Sequence, residues 1–359
     1  MTQQCIALLG RRDEPTDAVE QYCRYLGRAL RAYDVALEIE VVNWRETGWA
    51  AALRDLRAAA NGWRSEWVLV QYTALAWSAR GFPVRFCKVL RALRGGGARI
   101  AVVFHDVEPY PGRRIIDSLR QISQVATMRH ASQFADAPIF TVPYEKLSWL
   151  RFVHARAASI PVGANLPVFT EAPSHHSSRD LLTIAVYCIT GGEAGSRETS
   201  EIIAAVRFAS QRLGKLRLTV FGRHAELREA ALRASLRELP VELSVEGVLD
   251  EHRVVENLRS SDVLLFVRGA ISTRRGSAIA GIACGLPVIA QAGTETAAPI
   301  TEAGVVFYDP QKPGDLGAVL LRVLQDEKYR LELAERSRLA QQQHFSWSAI
   351  AGRYAELLK

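Results

Sequence analysis

Short apolar runs alternate with longer amphipathic segments along most of the chain. Each run has the length and β-branched content of a buried strand, and the segments between them have the spacing of helices packed on one face. In the first half, this pattern predicts strands at 5–9, 35–42, 67–72, 99–105, 138–141 and 159–161. Strands separated by helices in this way are typical of a parallel, doubly wound sheet.

The alternation stops once and then resumes. Residues 161–178 are rich in proline, serine and histidine and lack periodicity, which indicates a linker. Beyond the linker, strands are predicted at 182–189, 216–221, 241–247, 263–267, 286–290 and 304–308. We therefore predict an α/β fold of two Rossmann-like domains that face each other across a ligand-binding cleft. The predicted parts are an N-terminal domain (1–165), a linker (166–180), a C-terminal domain (181–345) and a closing helix (346–359).

The composition is that of a soluble globular protein, since 48% of the 359 residues are hydrophobic and 23% are charged. No apolar run approaches the roughly 20 residues of a membrane span, and the first apolar segment is predicted to be a strand rather than a signal peptide. The five cysteines are odd in number and lack CxxC spacing, so we expect reduced thiols in a cytoplasmic protein. Because the sequence contains no HExxH, EF-hand or DxD pattern, no metal is expected.

The net charge of +7 lies entirely in the first half of the chain. Residues 1–165 contain 22 Lys and Arg against 15 Asp and Glu, whereas residues 166–359 contain 23 of each kind. A basic surface suits an anionic partner, and an anionic membrane surface is the candidate that we retain for the N-terminal domain. A nucleic-acid partner is not expected, because no helix-turn-helix or RNP-like motif is present. A basic surface that serves only solubility is the alternative.

The segment 262–290 carries the strongest chemical signal. It combines a buried strand, a polar loop with three arginines, a helix of small residues and the start of another strand. Arg274, Arg275, Gly276 and Ser277 lead into the helix, whose first backbone amides are free to bind a phosphate. Gly276 would let a ligand approach the backbone closely. The alternative is an ordinary strand-helix-strand crossover with solvated arginines.

Three sequence segments resemble retaining family-4 glycosyltransferases of bacteria, which have the GT-B fold. They are ACGLPVIA (283–290), SDVLLFVRG (261–269) and SIPVGANLPVF (159–169). The resemblance implies transfer of a hexose from a nucleoside diphosphate sugar to a saccharide or lipid-linked acceptor, with retention and without a metal or cofactor. It also implies a role in exopolysaccharide or cell-surface glycan synthesis, in the cytoplasm or at the inner membrane face. A non-catalytic nucleotide- or glycan-binding relative and a nucleotide-sugar epimerase remain alternatives.

The chain departs from the family at a pair of glutamates spaced E-x7-E. Ser272 and Ala280 occupy those positions, so the contacts that the pair makes with the donor sugar and ribose cannot be carried over. Glu295 lies just after the strand at 286–290, and we hypothesise that it holds a sugar or ribose hydroxyl instead.

The family's donor-phosphate loop has an arginine and, five residues later, a lysine. Gly192 and Arg197 stand at these positions, and a guanidinium can do the electrostatic work of the lysine. We therefore predict that Arg197, with Arg268 and either Arg274 or Arg275, binds the donor diphosphate together with the helix-start amides of the 276–277 pair.

The resemblance also implies a histidine beside the transferred sugar, and His105, at the end of a predicted strand, occupies that position. It is the catalytic candidate; in the alternative interpretation, Asp106 caps a helix and His105 is merely adjacent to it.

Four residues on the same lobe are candidate acceptor contacts: Thr16, Asp17, Tyr72 and Tyr110. Helix capping is the favoured alternative for Thr16 and Asp17, and a solvated loop is the alternative for the two tyrosines.

Overall fold

The computed structural model describes residues 2–10, 17–167 and 181–359. The chain divides into two compact units. Unit 1 contains the chain up to Val162 together with Trp347–Lys359, and unit 2 contains Gly163–Ser346. Most of the predicted linker falls at 168–180, which lies outside the described residues.

Unit 1 is built on a six-stranded parallel sheet in the order β2-β1-β3-β4-β5-β6. Its strands are β1 (Gln3–Leu9), β2 (Val35–Val41), β3 (Trp67–Tyr72), β4 (Arg99–Phe104), β5 (Ala137–Phe140) and β6 (Ala158–Ser159). Its helices are α1 (Ala18–Leu30), α2 (Trp44–Ala60), α3 (Phe86–Gly96), α4 (Ile115–Phe134) and α11 (Trp347–Leu357). Two hydrophobic clusters, which cover opposite faces of the sheet, form the core.

The final helix, α11, packs against α1 of the same unit. The Trp347 indole stacks on the Tyr25 ring with centroids 5.5 Å apart, and the Tyr354 and Tyr22 hydroxyls share a hydrogen bond of 2.8 Å. The buried Trp67 indole donates a 2.7 Å hydrogen bond to the Leu358 carbonyl. The C-terminal segment is therefore a structural part of unit 1.

Unit 2 contains a second six-stranded parallel sheet, in the order β12-β11-β10-β7-β8-β9. Its strands are β7 (Leu182–Tyr187), β8 (Leu216–Phe221), β9 (Val241–Glu246), β10 (Val263–Ala270), β11 (Val288–Gln291) and β12 (Val305–Tyr308). Its helices are α5 (Gly192–Leu213), α6 (Glu229–Leu236), α7 (Glu251–Arg259), α8 (Gly276–Ala283), α9 (Asp315–Gln325) and α10 (Glu327–Ala340).

Each sheet reverses its strand order once. In unit 1, β1 lies between β2 and β3, so the connections that follow β1 and β3 lead toward opposite edges of the sheet. In unit 2, β7 lies between β8 and β10, and the connections that follow β7 and β10 also lead toward opposite edges. The connections diverge at the carboxyl ends of the strands and leave a crevice there, which is the usual ligand site of open α/β sheets. The structure thus gives each unit one expected site, at the ends of β1 and β3 and at the ends of β7 and β10.

The predicted α/β class with two Rossmann-like sheets is confirmed. The sequence pattern predicts helices at 50–60, 119–134 and 199–213, and all three begin several residues earlier in the structure. α2 begins at Trp44, α4 at Ile115 and α5 at Gly192. In the described ranges, no helix is both long enough and apolar enough to cross a bilayer. All five cysteines are free thiols.

Candidate functional site

An irregularity in β10 positions the first arginine of the unit 2 site. The register of β10 against β11 shifts between Leu265 and Ala270, and Gly269 has a φ of +75°. Bulges of this kind re-aim side chains, and the left-handed backbone favours glycine. As a result, the Arg268 side chain reaches the start of α8, where its Nη1 lies 3.5 Å from the Ser277 hydroxyl.

Arg275 occupies the N-cap position of α8, and its side chain caps no backbone amide. The Nε atoms of Arg268 and Arg275 are both buried without a hydrogen-bond partner among the described residues. Burial lowers the pKa of Arg275, and the neighbouring Arg274 and Arg268 charges lower it further. The Glu295 charge acts in the opposite direction. Guanidinium groups that repel each other and have buried Nε atoms without acceptors are costly in a folded protein, and a bound anion reduces that cost.

Arg274 differs from its neighbours because it is paired with Glu295. Its Nε and Nη2 each donate a 2.8 Å hydrogen bond to the carboxylate, which also accepts a 2.9 Å bond from Ser272. Burial acts to raise the pKa of Glu295, but these hydrogen bonds and the arginine charges outweigh it, so the net pKa is lowered. Arg274 and Arg275 are the two alternatives predicted to bind the diphosphate. Because Glu295 neutralises the charge of Arg274, Arg275 is the better candidate.

The ion pair also places a carboxylate beside Ser272, where the sequence resemblance predicts a glutamate. Ser272 stands where the first glutamate is expected, and the Glu295 carboxylate lies within hydrogen-bond distance of its hydroxyl. Glu295 follows β11, so two neighbouring strands contribute to this arrangement.

The first turn of α8 offers backbone donors. Within the described chain, the amides of Gly276 and Ser277 have no acceptor, as is usual at a helix start. A Cβ atom added to Gly276 would meet no atom within 4 Å, so there is open space beside the backbone at this position. The amides, Arg268 and Arg275 together form a cationic cluster, which we call the α8 anion cluster.

The start of α5, after the adjacent strand β7, is held by residues that the sequence did not single out. Arg228 donates hydrogen bonds to the Gly192 carbonyl at 2.6 Å and to the Ser196 hydroxyl at 3.0 Å. Glu198 accepts a 2.7 Å bond from the Thr190 amide. No local sequence pattern identifies these contacts, because Arg228 is 36 residues away from Gly192.

Arg197 lies in the second turn of α5, where its side chain is exposed. Its charge acts on Glu201, one turn further along the helix, whose pKa is raised mainly by burial. Glu201 in turn accepts a long hydrogen bond of 3.4 Å from Tyr308 at the end of β12. The role of Arg197 in diphosphate binding stays a prediction.

In unit 1, His105 follows β4 and is oriented by Gln71 at the end of β3. His105 Nε2 lies 2.8 Å from Gln71 Oε1, and Gln71 Nε2 donates to the Leu69 carbonyl at 3.1 Å. Because a carbonyl only accepts, this second bond fixes the amide orientation, and Nε2 of the neutral imidazole must carry the proton. His105 Nδ1 is therefore a hydrogen-bond acceptor.

Burial lowers the pKa of His105 to about 4, although the Asp17 charge acts in the opposite direction. The imidazole is therefore neutral at physiological pH. Gln71, Asp17 and Gly10 also line a cavity of about 100 Å³ at the ends of β1 and β3. This is the crevice that the strand order of unit 1 predicts.

The other acceptor candidates have distinct positions. The Asp17 carboxylate caps α1, accepting from the Val19 and Glu20 amides at 2.8 and 3.0 Å, so the capping interpretation is confirmed. The Tyr110 hydroxyl donates a 2.5 Å hydrogen bond to Asp106. Asp106 also accepts a hydrogen bond from the Ala74 amide and thus connects the loops that follow β3 and β4. The prediction for Thr16 lies outside the described residues.

The prediction that Tyr72 contacts the acceptor is wrong. Its side chain is fully buried, with ring centroids 5.0 Å from Phe86 and 5.4 Å from Phe104. Every residue of β3 is buried, since helices cover both faces of the sheet. The tyrosine therefore packs in the core.

Tyr72→Phe is expected to raise the free energy of unfolding by about 1 kcal/mol, because the buried hydroxyl has no hydrogen-bond partner in the described structure. Urea denaturation measures the change. Tyr22→Phe is the matched control; it removes a buried hydroxyl that is bonded to Tyr354 and is expected to destabilise the protein. Stabilisation by both substitutions, or by neither, would contradict this account of Tyr72.

No family model matches the chain, and no curated protein matches it. Solved structures, however, match it over its full length. A Rickettsia africae glycosyltransferase is 11% identical with a TM-score of 0.68, covering 100% of this chain and 98% of its own. Anabaena HepE, in complex with UDP and glucose, is 12% identical with a TM-score of 0.65 and covers 99% of both chains. WaaG, a glycosyltransferase involved in lipopolysaccharide biosynthesis, is 14% identical with a TM-score of 0.57, also covering 99% of both.

These likenesses establish the fold. The two parallel six-stranded sheets with flanking helices are the Rossmann-like domains of the GT-B fold. At 11–14% identity, they define no substrate for this chain.

Proposed function

We propose that this protein is a glycosyltransferase that transfers a hexose from a nucleoside diphosphate sugar to a saccharide or lipid-linked acceptor. The observation that carries the proposal is the α8 anion cluster at the strand-order reversal of unit 2. Among the described residues, the Nε atoms of Arg268 and Arg275 and the helix-start amides of Gly276 and Ser277 have no hydrogen-bond partner. A diphosphate has the charge and the acceptor oxygens to satisfy all four groups.

The cluster also suits the chemistry. Negative charge grows on the diphosphate as its bond to the anomeric carbon breaks, so fixed cations and amide dipoles stabilise the transition state more than the bound donor. They can do this without a metal ion.

In this proposal the acceptor binds at the carboxyl edge of the unit 1 sheet, where His105 Nδ1 accepts a hydrogen bond from a sugar hydroxyl. The resemblance to retaining enzymes further supports retention of the anomeric configuration. It also supports a place in exopolysaccharide or cell-surface glycan synthesis.

A panel of nucleoside diphosphates and their hexose derivatives tests the proposal, first by calorimetric binding and then by product analysis with saccharide acceptors. We expect one nucleoside diphosphate to bind and its sugar to be transferred or slowly hydrolysed. Binding without any turnover would favour the non-catalytic relative, and epimer formation without an acceptor would favour the epimerase. Absence of all binding would contradict the proposal.

Gln71→Glu is expected to shift the pH dependence of transfer. The introduced carboxylate stabilises the imidazolium and raises the pKa of His105 from about 4 toward neutrality. Protonation removes the Nδ1 acceptor, so transfer should fall as the pH drops through that higher pKa. Wild type should remain active down to about pH 5.

Gln71→Met is the matched control, since it removes the hydrogen bond without adding charge and is expected to lower turnover without moving the profile. A single profile shared by wild type and Gln71→Glu would show that His105 plays no part in transfer.

A further inference from the structure

The amino-terminal edge of the unit 1 sheet contains a cavity of about 440 Å³, which we call the amino-edge cavity. Trp67 and Arg99 begin β3 and β4, and Asp136 immediately precedes β5. The other lining residues lie in segments that lead into β4 and β6: Arg94, Gly97, Ala98, His154 and Arg156. His105 follows β4, so this cavity and the acceptor crevice lie at opposite ends of a six-residue strand, roughly 20 Å apart.

Positive charge dominates the lining of the amino-edge cavity. Its described lining contains three guanidinium groups, from Arg94, Arg99 and Arg156, and one carboxylate. That carboxylate belongs to Asp136, which pairs with Arg94 at 2.9 Å and accepts a 2.7 Å hydrogen bond from the Ile100 amide. Among the described residues, neither Arg99 nor Arg156 is paired with an Asp or Glu side chain. Two guanidinium groups are therefore left for an anionic ligand to neutralise.

Arg99 and Arg156 are held in place by the Trp67 indole and by the C-terminal segment. Their guanidinium carbons lie 4.1 and 5.4 Å from the Trp67 ring centroid. Arg99 donates a 3.3 Å hydrogen bond to the Lys359 main-chain oxygen, and Arg156 donates to the Leu357 carbonyl. Because a guanidinium has five N–H donors, others remain for a ligand. Since both side chains are already ordered, binding an anion costs little further side-chain entropy.

His154 adds a neutral donor to the same cavity. Its Nδ1 accepts a 3.1 Å hydrogen bond from the Arg156 backbone amide. The neutral imidazole therefore carries its proton on Nε2, which is left to donate. A phosphate group, whose oxygens accept several hydrogen bonds at once, suits a lining that combines such a donor with guanidinium groups.

We propose that the amino-edge cavity binds a small phosphate monoester, with Arg99, Arg156 and His154 against the phosphate. A phosphate monoester carries about two negative charges at neutral pH and has three strong acceptor oxygens. These charges match the two guanidinium groups that lack a carboxylate partner. Guanidinium groups also bind phosphate with bidentate geometry.

The size and lining of the cavity indicate the organic part of the ligand. Its volume of about 440 Å³ falls within the range of small-molecule sites, so a group larger than phosphate fits. Trp67 is fully buried beneath the two arginines, so its indole is not exposed for a nucleobase to stack on. A polar group such as a sugar is the better match for this lining.

A ligand in the amino-edge cavity is distinct from the donor and the acceptor, because His105 lies at the opposite edge of the sheet. It would bind the two arginines that hold Leu357 and Lys359, and so fix the end of α11 against the sheet. Binding to the folded state alone stabilises a protein. The assignment of this cavity does not depend on the proposed function.

Titration calorimetry with ribose 5-phosphate tests the proposal. All proteins in the test carry Arg268→Met/Arg275→Met, so that the α8 anion cluster cannot hold the phosphate. This background should bind ribose 5-phosphate at one site and should not bind ribose. Adding Arg99→Met/Arg156→Met should weaken binding at least tenfold, because two contacts between guanidinium and phosphate are lost.

The matched control adds Arg91→Met/Arg151→Met to the same background. It removes two exposed arginines that lie outside the cavity, so it should bind ribose 5-phosphate like the background. If Arg99→Met disturbs folding, Arg156→Met alone repeats the test, because its side chain is exposed; it too should weaken binding.

Equal affinity of the cavity variants and the matched control would overturn the proposal, and so would a background that binds no ribose 5-phosphate. Inorganic phosphate bound as tightly as ribose 5-phosphate would overturn the assignment of a monoester. Nucleoside diphosphate binding is measured separately, with wild type. If ribose 5-phosphate binds as expected while no nucleotide binds, the amino-edge site stands and the glycosyltransferase proposal fails.

Discussion

Arg268→Met/Arg275→Met is expected to weaken nucleoside diphosphate binding by at least a hundredfold. Each lost hydrogen bond between a guanidinium and a phosphate is worth about 1.5–3 kcal/mol, so two correspond to roughly 10²–10⁴ in affinity. Titration calorimetry measures the loss. Arg237→Met is the control, because its side chain is 83% exposed in unit 2, and it should bind like wild type.

Substitution at the same site should increase the stability of the unliganded protein, although it weakens diphosphate binding. Arg275→Met alone is expected to raise the free energy of unfolding of the unliganded protein by about 1–2 kcal/mol, since it removes a buried charge next to Arg268 and Arg274. Urea denaturation without ligand measures this gain. A marked loss of stability together with unchanged nucleotide affinity would mean that Arg275 has a structural role only.

Glu295→Ala is expected to lower the free energy of unfolding by about 2–4 kcal/mol. It leaves the Arg274 guanidinium, which is only 20% exposed, without its carboxylate. Breaking a buried ion pair costs about 3–5 kcal/mol, and the partial exposure of the two side chains reduces that cost. Urea denaturation gives the difference.

The pH dependence follows from the lowered pKa of Glu295. Its contribution to stability is fully present above the ordinary value of 4.5 and is lost as the pH falls through the lower folded value. Arg274→Met/Glu295→Met should recover most of the loss, because it also removes the guanidinium that Glu295→Ala leaves without its carboxylate. If the double variant is less stable than Glu295→Ala, the ion-pair explanation is wrong.

The regular part of the fold was predictable because the strands are apolar and short. β3 and β8 begin and end where the sequence indicates, since each is a hydrophobic run bounded by polar or turn residues. The start of α5 was not predictable from TGGEAGSR, whose glycines suggest a loop. In the structure, a Cβ atom at Gly195 would overlap the Thr190 carbonyl, so this glycine permits close packing inside a helix.

The sequence predicted the site only as far as strand ends and local motifs could indicate. Arg268, Arg275 and the amides of the 276–277 pair lie in one short segment and do come together. The pairing of Arg274 with Glu295 spans 21 residues, and no local pattern reveals it. Tyr72 was assigned to the site because it ends a strand. In β3, however, both faces are buried, so the sequence lacks the alternation of polar and apolar residues that would show which side chains face the core.

The most direct test is a crystal structure with a bound nucleoside diphosphate. The diphosphate is predicted to contact Arg268, Arg275 and the amides of Gly276 and Ser277. A diphosphate bound elsewhere, with both guanidinium groups directed into solvent, would contradict the account.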